Sequence, residues 1–438
     1  MARRFGSTGR VVLAVALGIA SVGVVSASAG AQATSEPGVT DKAIKIGMIF
    51  SETGVASSAF KNTGKAFQAR IDRQNAAGGV HGRKIEAEIV DDQSANNLTA
   101  AKDLVENRSV FMVVNDSSFG FLTYRYLVDA GVPVIGGGFD GTYYSEPGNE
   151  SIVSVLGNVS ADPELTSMIF ANAMKKKGAT KVAALAYAAS PASVNSAKAF
   201  QKYSVPEAGM EEVYTNTSVD FGSSDVGPLV LGIANSGADA VQLPMQSSTN
   251  MAVVLGLKQA NHPMKANIIA TGYGQDVLDS PAAQVLGPND LFFLQYKPAD
   301  IKDKAVKQFR GDLKKYASFT GVPDYGMYQG YLAADLLILG LEGAGENPTR
   351  QGFVDGLRDA GTWDGAGLSC RPIDISLENY GKVPSENCAY YSYVKDGKFV
   401  TAFGGKPIVG KLVGSPDALA ANAAKNPGGA TASTAAGS

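Results

Sequence analysis

The chain has 438 residues, and its 38 lysines and arginines against 41 aspartates and glutamates give a formal net charge of −3. This mildly acidic balance gives no electrostatic reason to expect a nucleic-acid partner. A chain that keeps roughly 400 residues after loss of a leader favours two domains. Beyond the N-terminus no second long apolar run occurs, so we expect no membrane insertion of the mature protein.

The N-terminus has the layout of a secretory signal peptide. A basic start precedes an apolar run, Val11–Val25, and small residues follow it up to Ala33. The run is shorter than the roughly 20 residues that span a bilayer. No cysteine lies near the expected cleavage site, after Ala31 or Ala33, which excludes a lipid anchor through cysteine. We therefore expect residues 1–33 to be removed and the protein to be periplasmic or extracellular.

The two cysteines of the chain are Cys370 and Cys388. In an oxidising compartment, a single pair is most simply interpreted as one structural disulfide. Free buried thiols are the alternative.

Short apolar runs alternate with longer amphipathic segments from Ala43 onward. Strands are predicted at Ile44–Phe50, Lys84–Val90, Ser109–Val114, Val132–Gly138, Ser151–Gly157, Lys181–Tyr187, Asp239–Met245, Asn267–Gly272 and Asp290–Tyr296. Helices are predicted at Phe60–Gln74, Asn96–Glu106, Phe121–Ala130, Pro163–Lys177, Val194–Tyr203, Val226–Asn235, Met251–Ala260, Ile301–Tyr316, Tyr325–Gly343 and Thr349–Ala360. This β–α repetition predicts parallel sheets with helices on both faces, in two doubly wound α/β lobes.

Two features near the C-terminus depart from this repetition. Asp396 and Gly397 stand between two β-rich runs and predict a hairpin. The segment from Ser415 to Ser438 is rich in alanine, glycine, serine and asparagine, and we predict that it is disordered.

No catalytic or cofactor-binding template fits the sequence. The glycines of "GGGFDG", Gly136–Gly141, are contiguous and follow a late strand, which favours a turn or a small-ligand loop over a dinucleotide fingerprint. His81 and His262 lie among turn residues, without carboxylates or cysteines at metal-ligand spacing. No G-x-S-x-G elbow marks a serine nucleophile. We therefore expect no enzyme, no cofactor and no metal site.

The carboxyl ends of the predicted strands carry serines, glycines and single aromatic residues. In open α/β sheets, ligands bind beyond these ends. Ser51–Phe60, Asn115–Ser118, Gly138–Asp140, Tyr187–Pro191, Gln246–Ser248 and Thr271–Gly274 occupy such positions. This mixture suits a buried, hydrogen-bonded small molecule, although each serine could equally be a helix N-cap.

The stretch "NAAGGVHGRKIEAEIVDDQS" resembles the leucine/isoleucine/valine-binding protein family, the type I periplasmic solute-binding proteins of branched-chain amino acid ABC transporters. "IKIGMIFSETG", "VVNDSSFGFLTYRYLVDAGVPVIGGG" and "YGMYQGYLAADLLILGLEGAG" also resemble segments of that family. Together the resemblance covers roughly Ala43–Lys411.

The resemblance implies two lobes joined by a three-strand hinge, with crossings near Val159, Tyr296 and Ala389. It predicts a first lobe of residues 43–158 and 297–388, and a second lobe of residues 159–296 and 389–411. Family members close around a ligand bound between the lobes, and we expect the receptor to be a monomer.

By the same resemblance, Ser117 and the Gly138–Asp140 loop occupy the positions that hold a ligand carboxylate, and Phe60 occupies that of a covering aromatic residue. In the second lobe, the family's aromatic and acidic positions fall nearest Ser190, Gln246 and Tyr273. The ligand-binding residues that we predict are Phe60, Ser117, Ser118, Gly138, Phe139, Asp140, Tyr187, Ser190, Gln246 and Tyr273.

The expected function is an exported solute-binding protein that delivers a small organic molecule to the permease of an ABC importer. The second lobe lacks the acid that would pair with an α-ammonium group, and leaving that cation buried and unpaired is costly. The predicted ligand is therefore an apolar or aromatic carboxylate or an amide-like compound, and not a plain amino acid. An extracytoplasmic ligand sensor and a secreted α/β hydrolase are the alternatives.

Overall fold

The structure, a computed structural model, describes residues 36–158 and 162–424. The predicted signal peptide, the crossing near Val159 and the end of the predicted tail lie outside these described residues. None of the described helices is long and apolar enough to cross a membrane.

The first part of the chain forms a parallel sheet with short helices between its strands. Its strands are β1 (Ala43–Phe50), β2 (Lys84–Asp91), β3 (Met112–Asn115), β4 (Val134–Gly136) and β5 (Ile152–Ser154). Its helices are α1 (Ser57–Phe60), α2 (Thr63–Ala76), α3 (Asn97–Lys102) and α4 (Tyr124–Asp129). Strand β1 is buried along nearly its whole length because helices cover both faces of the sheet.

The middle part of the chain builds a second α/β unit. Its strands are β6 (Leu165–Ser167), β7 (Lys181–Tyr187), β8 (Glu211–Val219), β9 (Ala240–Leu243), β10 (Ala266–Ile269) and β11 (Asp290–Leu294). Its helices are α5 (Ile169–Lys176), α6 (Pro191–Ala199), α7 (Val205–Glu207), α8 (Gly227–Ser236), α9 (Ser247–Gln259) and α10 (Gln275–Asp279).

The last part of the chain contributes to both units. Its elements are α11 (Lys304–Tyr316), α12 (Tyr325–Gly343), α13 (Arg350–Asp359), β12 (Thr362–Trp363), β13 (Ile373–Asp374), β14 (Glu386–Lys395), β15 (Lys398–Thr401), β16 (Ile408–Gly414) and α14 (Pro416–Ala424). Strands β14 and β16 extend the second sheet, in which β14 runs antiparallel to β11. The two α/β lobes predicted from the sequence are confirmed.

Both sheets reverse their direction of winding at one point. The first sheet has the order β2-β1-β3-β4-β5, and the parallel part of the second has the order β8-β7-β9-β10-β11. In such sheets the crevice for a ligand opens at the carboxyl ends of the strands where the order reverses. That rule points to the loops after β1 and β3 in one lobe, and after β7 and β9 in the other.

Helix α12 fixes the late helices onto the first lobe. Its N-cap, Asp324, accepts a hydrogen bond from the backbone N–H of Met327 at 2.8 Å. A Cβ atom at Gly330 would lie 2.2 Å from the carbonyl oxygen of Thr63, so only glycine lets α12 approach α2 this closely. A buried ion pair between Arg70 and Asp335, 2.8 Å apart, links the same two helices.

Two sequence predictions differ from the structure. The segment Pro163–Lys177 is not one helix, because Leu165–Ser167 pair with β16 as an edge strand before α5 begins. The predicted tail is ordered as far as Ala424, since α14 covers Pro416–Ala424 and the Asn422 side chain exchanges two hydrogen bonds with the backbone of Val383.

Two other predictions from the sequence are confirmed. Asp396 and Gly397 connect β14 to β15 with positive φ angles of 50° and 68°, which suits a tight hairpin turn. Cys370 and Cys388 form a disulfide whose Cα atoms are 6.2 Å apart. The disulfide ties the segment before β13 to strand β14.

Replacing both Cys370 and Cys388 with serine is expected to lower the free energy of unfolding by about 3 kcal/mol, because the unfolded chain regains the entropy of an 18-residue loop. Urea unfolding measures the difference. The wild-type protein unfolded in the presence of a reductant serves as the control and should approach the double variant. Equal stability of the oxidised protein and the variant would contradict the expectation.

Candidate functional site

A cavity of about 280 Å³ lies between the strand ends of the two lobes. The loops after β3 and β4 contribute Ser118 and Gly138–Asp140 on one side. The loops after β7, β9 and β10 contribute Ser190, Gln246 and Thr271 on the other. The cavity therefore occupies the position that the strand orders of the two sheets favour for a ligand.

Eight of the ten ligand-binding residues predicted from the sequence line this cavity. They are Phe60, Ser118, Gly138, Phe139, Asp140, Tyr187, Ser190 and Gln246. The structure brings them together from both lobes, as expected of strand ends that face a common crevice.

Ser117, which the sequence predicts as a ligand-binding residue, does not line this cavity. Its side chain is fully buried, and its hydroxyl donates to Asp92 and accepts from the backbone N–H of Phe119 at 3.1 Å. Ser117 lies in a bend and Ser118 in the turn that follows β3, and of the two only Ser118 borders the cavity. Ser117 therefore holds the loop in place through hydrogen bonds inside the first lobe.

Tyr273 also lies outside the main cavity. It is buried against Phe399, with ring centroids 4.4 Å apart, and its hydroxyl accepts from the backbone N–H of Ala299 at 3.0 Å. It lines a much smaller space, about 10 Å³, behind the main cavity, together with Tyr296 and Tyr328. Tyr273 therefore packs behind the residues that line the main cavity.

Further residues, beyond the ten predicted ligand-binding residues, also line the cavity. They are Leu156, Ala192, Ser193, Ser196, Phe221, Pro244, Met245, Ala270, Thr271, Phe293, Gln295 and Tyr325. Thr271, Ala192 and Pro244 stand next to strand ends that the sequence analysis identified. Phe221 and Tyr325 come from the loop after β8 and the first turn of α12, and no local pattern relates them to the other lining residues.

Aromatic rings form the apolar walls of the cavity in both lobes. Phe60 stacks on Phe139 with centroids 5.0 Å apart, and Tyr325 meets Phe60 edge-on at 5.7 Å. In the second lobe, Tyr187 contacts Phe221 at 4.4 Å. The Tyr187 hydroxyl donates to Thr249 at 2.7 Å and accepts from the backbone N–H of Gln246. These walls suit a ligand with a flat or apolar body.

Side chains of the two lobes touch directly across the crevice. The Gln246 amide donates to the Ser118 hydroxyl at 3.1 Å, and the hydroxyls of Ser58 and Ser248 are 3.4 Å apart. Lys61 forms an ion pair with Asp276. The oxygen of the buried Gln246 amide has no hydrogen-bond partner among the described residues.

Asp140 is a buried carboxylate that two tyrosine hydroxyls hold in place. Tyr143 donates to it at 2.7 Å and Tyr144 at 2.9 Å. Burial raises the pKa of Asp140 to about 6, although both hydroxyls oppose the shift. A Cβ atom on Gly120 would lie 2.6 Å from the carboxylate, so this group packs inside the first lobe while its loop borders the cavity.

The Asp140 carboxyl should make stability depend on pH between about 4 and 7. Its pKa is higher in the folded than in the unfolded chain, so the folded state binds the proton more tightly. The free energy of unfolding is therefore expected to rise by the order of 2 kcal/mol as the pH falls from 7 to 4.5. Urea unfolding of the wild type and of Asp140→Asn across this range isolates the effect, and parallel pH profiles of the two proteins would contradict it.

The lining of the cavity carries no positive charge. Among the described residues that border it, Asp140 has the only ionisable carboxyl, and none is lysine, arginine or histidine. Asp116, next to Ser117, is buried without a hydrogen-bond partner for either oxygen. Burial, and then the charge of Asp140, raise the pKa of Asp116 well above its usual range. The side chains in and next to the lining of the cavity are therefore either neutral or acidic.

The two histidines lie away from the cavity. His81 has a positive φ of 46° in the turn before β2, and His262 contacts the carbonyl oxygen of Ala238 at 2.7 Å. Within residues 36–158 and 162–424, no group of three or more histidine, cysteine or acidic side chains is placed to hold a metal ion.

The sequence of residues 43–398 matches the family model described as periplasmic binding protein. No curated protein sequence matches the chain. Solved structures share its fold. A fatty acid ABC transporter substrate-binding protein from Thermomonospora curvata is 21% identical, with a TM-score of 0.69 over 84% of this chain and 93% of its own.

Two further structures are similar. An ABC transporter solute-binding protein from R. palustris, in complex with benzoate, is 18% identical, with a TM-score of 0.67 over 85% of this chain and 98% of its own. The branched-chain amino acid transporter substrate-binding protein of Streptococcus pneumoniae, in complex with isoleucine, is 20% identical, with a TM-score of 0.66 over 82% of this chain and 100% of its own.

Proposed function

The chain belongs to the periplasmic binding protein family, and on that premise we propose that it is an exported receptor that binds a small organic molecule between its lobes and delivers it to the permease of an ABC importer. The observation that supports this most directly is the cavity bordered by strand ends of both lobes. A ligand that contacts both lobes stabilises the closed arrangement by its differential affinity. In this proposal the receptor needs no cofactor and acts as a monomer.

Two of the proposed hinge positions fall on described residues. Tyr296 forms an isolated β-bridge with Ser369, and Ala389 pairs with Ile408 within the second sheet. In our proposal the lobes rotate about these segments, with the first lobe made of residues 43–158 and 297–388. The third crossing, near Val159, lies outside the described residues.

The proposed ligand has an apolar or aromatic body and a neutral polar group such as an amide. The aromatic pairs around Phe60 and Tyr187 fit the body, and the unpaired end of the Gln246 amide fits the polar group. A carboxylate would bring a second negative charge near Asp140 with no cation to pair with it. An amino acid would in addition need a partner for its ammonium group.

A thermal-shift panel tests the function and the ligand class together. It compares aromatic and branched aliphatic amides with the matching carboxylates, with leucine and valine, and with medium-chain fatty acids. An amide present at 100 times its Kd is expected to stabilise the protein by about 2.7 kcal/mol. A larger shift with leucine or with the carboxylates would refute the ligand class, while no shift with any compound would contradict the receptor function.

The same panel separates the receptor from a hydrolase. The amide that gives the largest shift is incubated with the protein, and the mixture is analysed for free acid and amine. Recovery of intact amide is expected. Steady release of the acid, in proportion to protein concentration, would replace the receptor proposal with an enzymatic one.

A further inference from the structure

A second concave surface, which shares no lining residue with the ligand cavity, lies on the first lobe. It is a groove of about 1120 Å³ formed by the segment Ala299–Pro323, which includes α11. We call it the basic groove. The buried side chains of Val306 and Leu313 and the half-buried ring of Phe319 give it an apolar floor.

The rim of the basic groove is strongly cationic. Its five basic residues are Lys302, Lys304, Lys307, Arg310 and Lys314, and all five are exposed. Lys304, Lys307 and Lys314 are spaced by three and seven residues, which aligns them along one face of α11. The chain as a whole is acidic, so this concentration of positive charge is local.

The acidic residues of the same segment are committed to other partners. Asp300 accepts from the hydroxyl of Thr401 at 2.6 Å, and Asp303 pairs with Lys297 at 2.5 Å. Asp312 pairs with Arg73 at 2.7 Å and is buried. None of the described carboxylates forms an ion pair with the five rim cations. The positive charge of these five side chains is therefore available to a binding partner.

One wall of the basic groove depends on contact between the lobes. Phe319, Thr320, Gly321 and Pro323 form this wall. The backbone N–H of the neighbouring Val322 donates to the Gln275 side chain at 3.0 Å. The backbone N–H of Gln275 donates in return to the carbonyl oxygen of Val322 at 3.0 Å. Gln275 begins α10 of the second lobe, so separation of the lobes would release this wall.

We propose that the basic groove binds an acidic polypeptide segment, with an apolar side chain on its floor and carboxylates at its rim, and that it does so best when the lobes are in contact. An apolar centre surrounded by a charged rim is the usual anatomy of a protein–protein contact, and complementary charge steers such partners together. The cations surround a concavity with an apolar floor, a shape that a flat anionic membrane fills less well than a protruding peptide does.

The probe is a blocked, fluorescein-labelled pentapeptide with phenylalanine between two pairs of glutamates, measured by fluorescence anisotropy. The test variant is Lys304→Glu/Lys307→Glu/Lys314→Glu. The control is Lys175→Glu/Lys176→Glu/Lys177→Glu, which changes the net charge equally at the end of α5, outside the basic groove. Thermal unfolding of each variant verifies that it is folded.

The wild type and the α5 control are expected to bind the peptide, and the α11 variant to bind it about tenfold more weakly or not at all, as the loss of three exposed charge pairs implies. Equal weakening in the control, or no binding to the wild type, would overturn the proposal. Capture of the wild type by anionic vesicles without peptide binding would also overturn it. These measurements involve no ligand in the cavity, so a negative result would refute the peptide site without bearing on the receptor function.

Discussion

Replacing Arg358 with methionine is expected to lower the free energy of unfolding by about 3–5 kcal/mol. Arg358 is buried, and its guanidinium donates to the carbonyl oxygens of Glu150, Ile152 and Ile375 at 2.7, 2.9 and 3.0 Å. Methionine fills similar space but leaves these carbonyls unpaired. The contacts join α13 to the edge strand β5, so their loss would loosen this edge of the first lobe.

Urea unfolding measures the change, and Arg125→Met serves as the control. Arg125 is exposed and lies over the ring of Tyr124, so its replacement should cost no more than about 0.5 kcal/mol. A loss below roughly 1 kcal/mol for Arg358→Met would show that water satisfies the three carbonyls and that the guanidinium is not what holds α13 to β5.

Replacing Ala192 with tryptophan is expected to reduce ligand affinity by about 100-fold or more, because an indole in the cavity competes with the ligand for the same space. Ala192 is only half-buried, in the first turn of α6. The larger side chain can therefore be accommodated without disrupting the core. Calorimetry with the best ligand from the thermal-shift panel measures the affinity.

The matched control is Ala76→Trp, which adds the same side chain at an exposed position at the end of α2. This variant should bind the ligand as the wild type does. Unchanged affinity in Ala192→Trp, with thermal unfolding showing a folded protein, would mean that the ligand binds elsewhere. The cavity between the lobes would then lose its assigned role.

The elements of the fold were predictable where the local pattern is long and its ends are marked. The bounds Tyr325–Gly343 of α12 agree with the prediction because an aspartate N-cap precedes 19 residues of helical pattern. The segment Pro163–Lys177 was predicted wrongly because the strand Leu165–Ser167 is only three residues long. Its pairing partner, β16, lies more than 240 residues away, and no local propensity reveals such a contact.

The sequence predicts those residues of the site that directly follow a strand, because strand ends can be recognised from the local pattern. Ser118, Gly138 and Gln246 follow buried strands, and parallel topology places such ends at one edge of each sheet. Ser118 borders the cavity and Ser117 does not, and the sequence of a strand-end loop does not reveal which of two adjacent serines turns inward. Tyr325 was missed since it reaches the cavity only through the packing of α12 on the first lobe.

We propose that the lobes close around a bound ligand, and a reversible crosslink across the crevice distinguishes an enclosed ligand from one bound elsewhere. The hydroxyls of Ser58 and Ser248, in α1 and α9, are 3.4 Å apart, so Ser58→Cys/Ser248→Cys places two thiols face to face. The variant is loaded with ligand, oxidised, verified as crosslinked by mass, and dialysed. Ser58→Cys alone is treated identically as the control.

We expect the crosslinked protein to retain its ligand through dialysis and to release it only when a reductant cleaves the bond. The single variant should lose the ligand at the wild-type rate throughout. If the crosslinked protein releases ligand as fast as the single variant does, the ligand is not enclosed between the lobes and the protein is not a receptor that closes on its ligand.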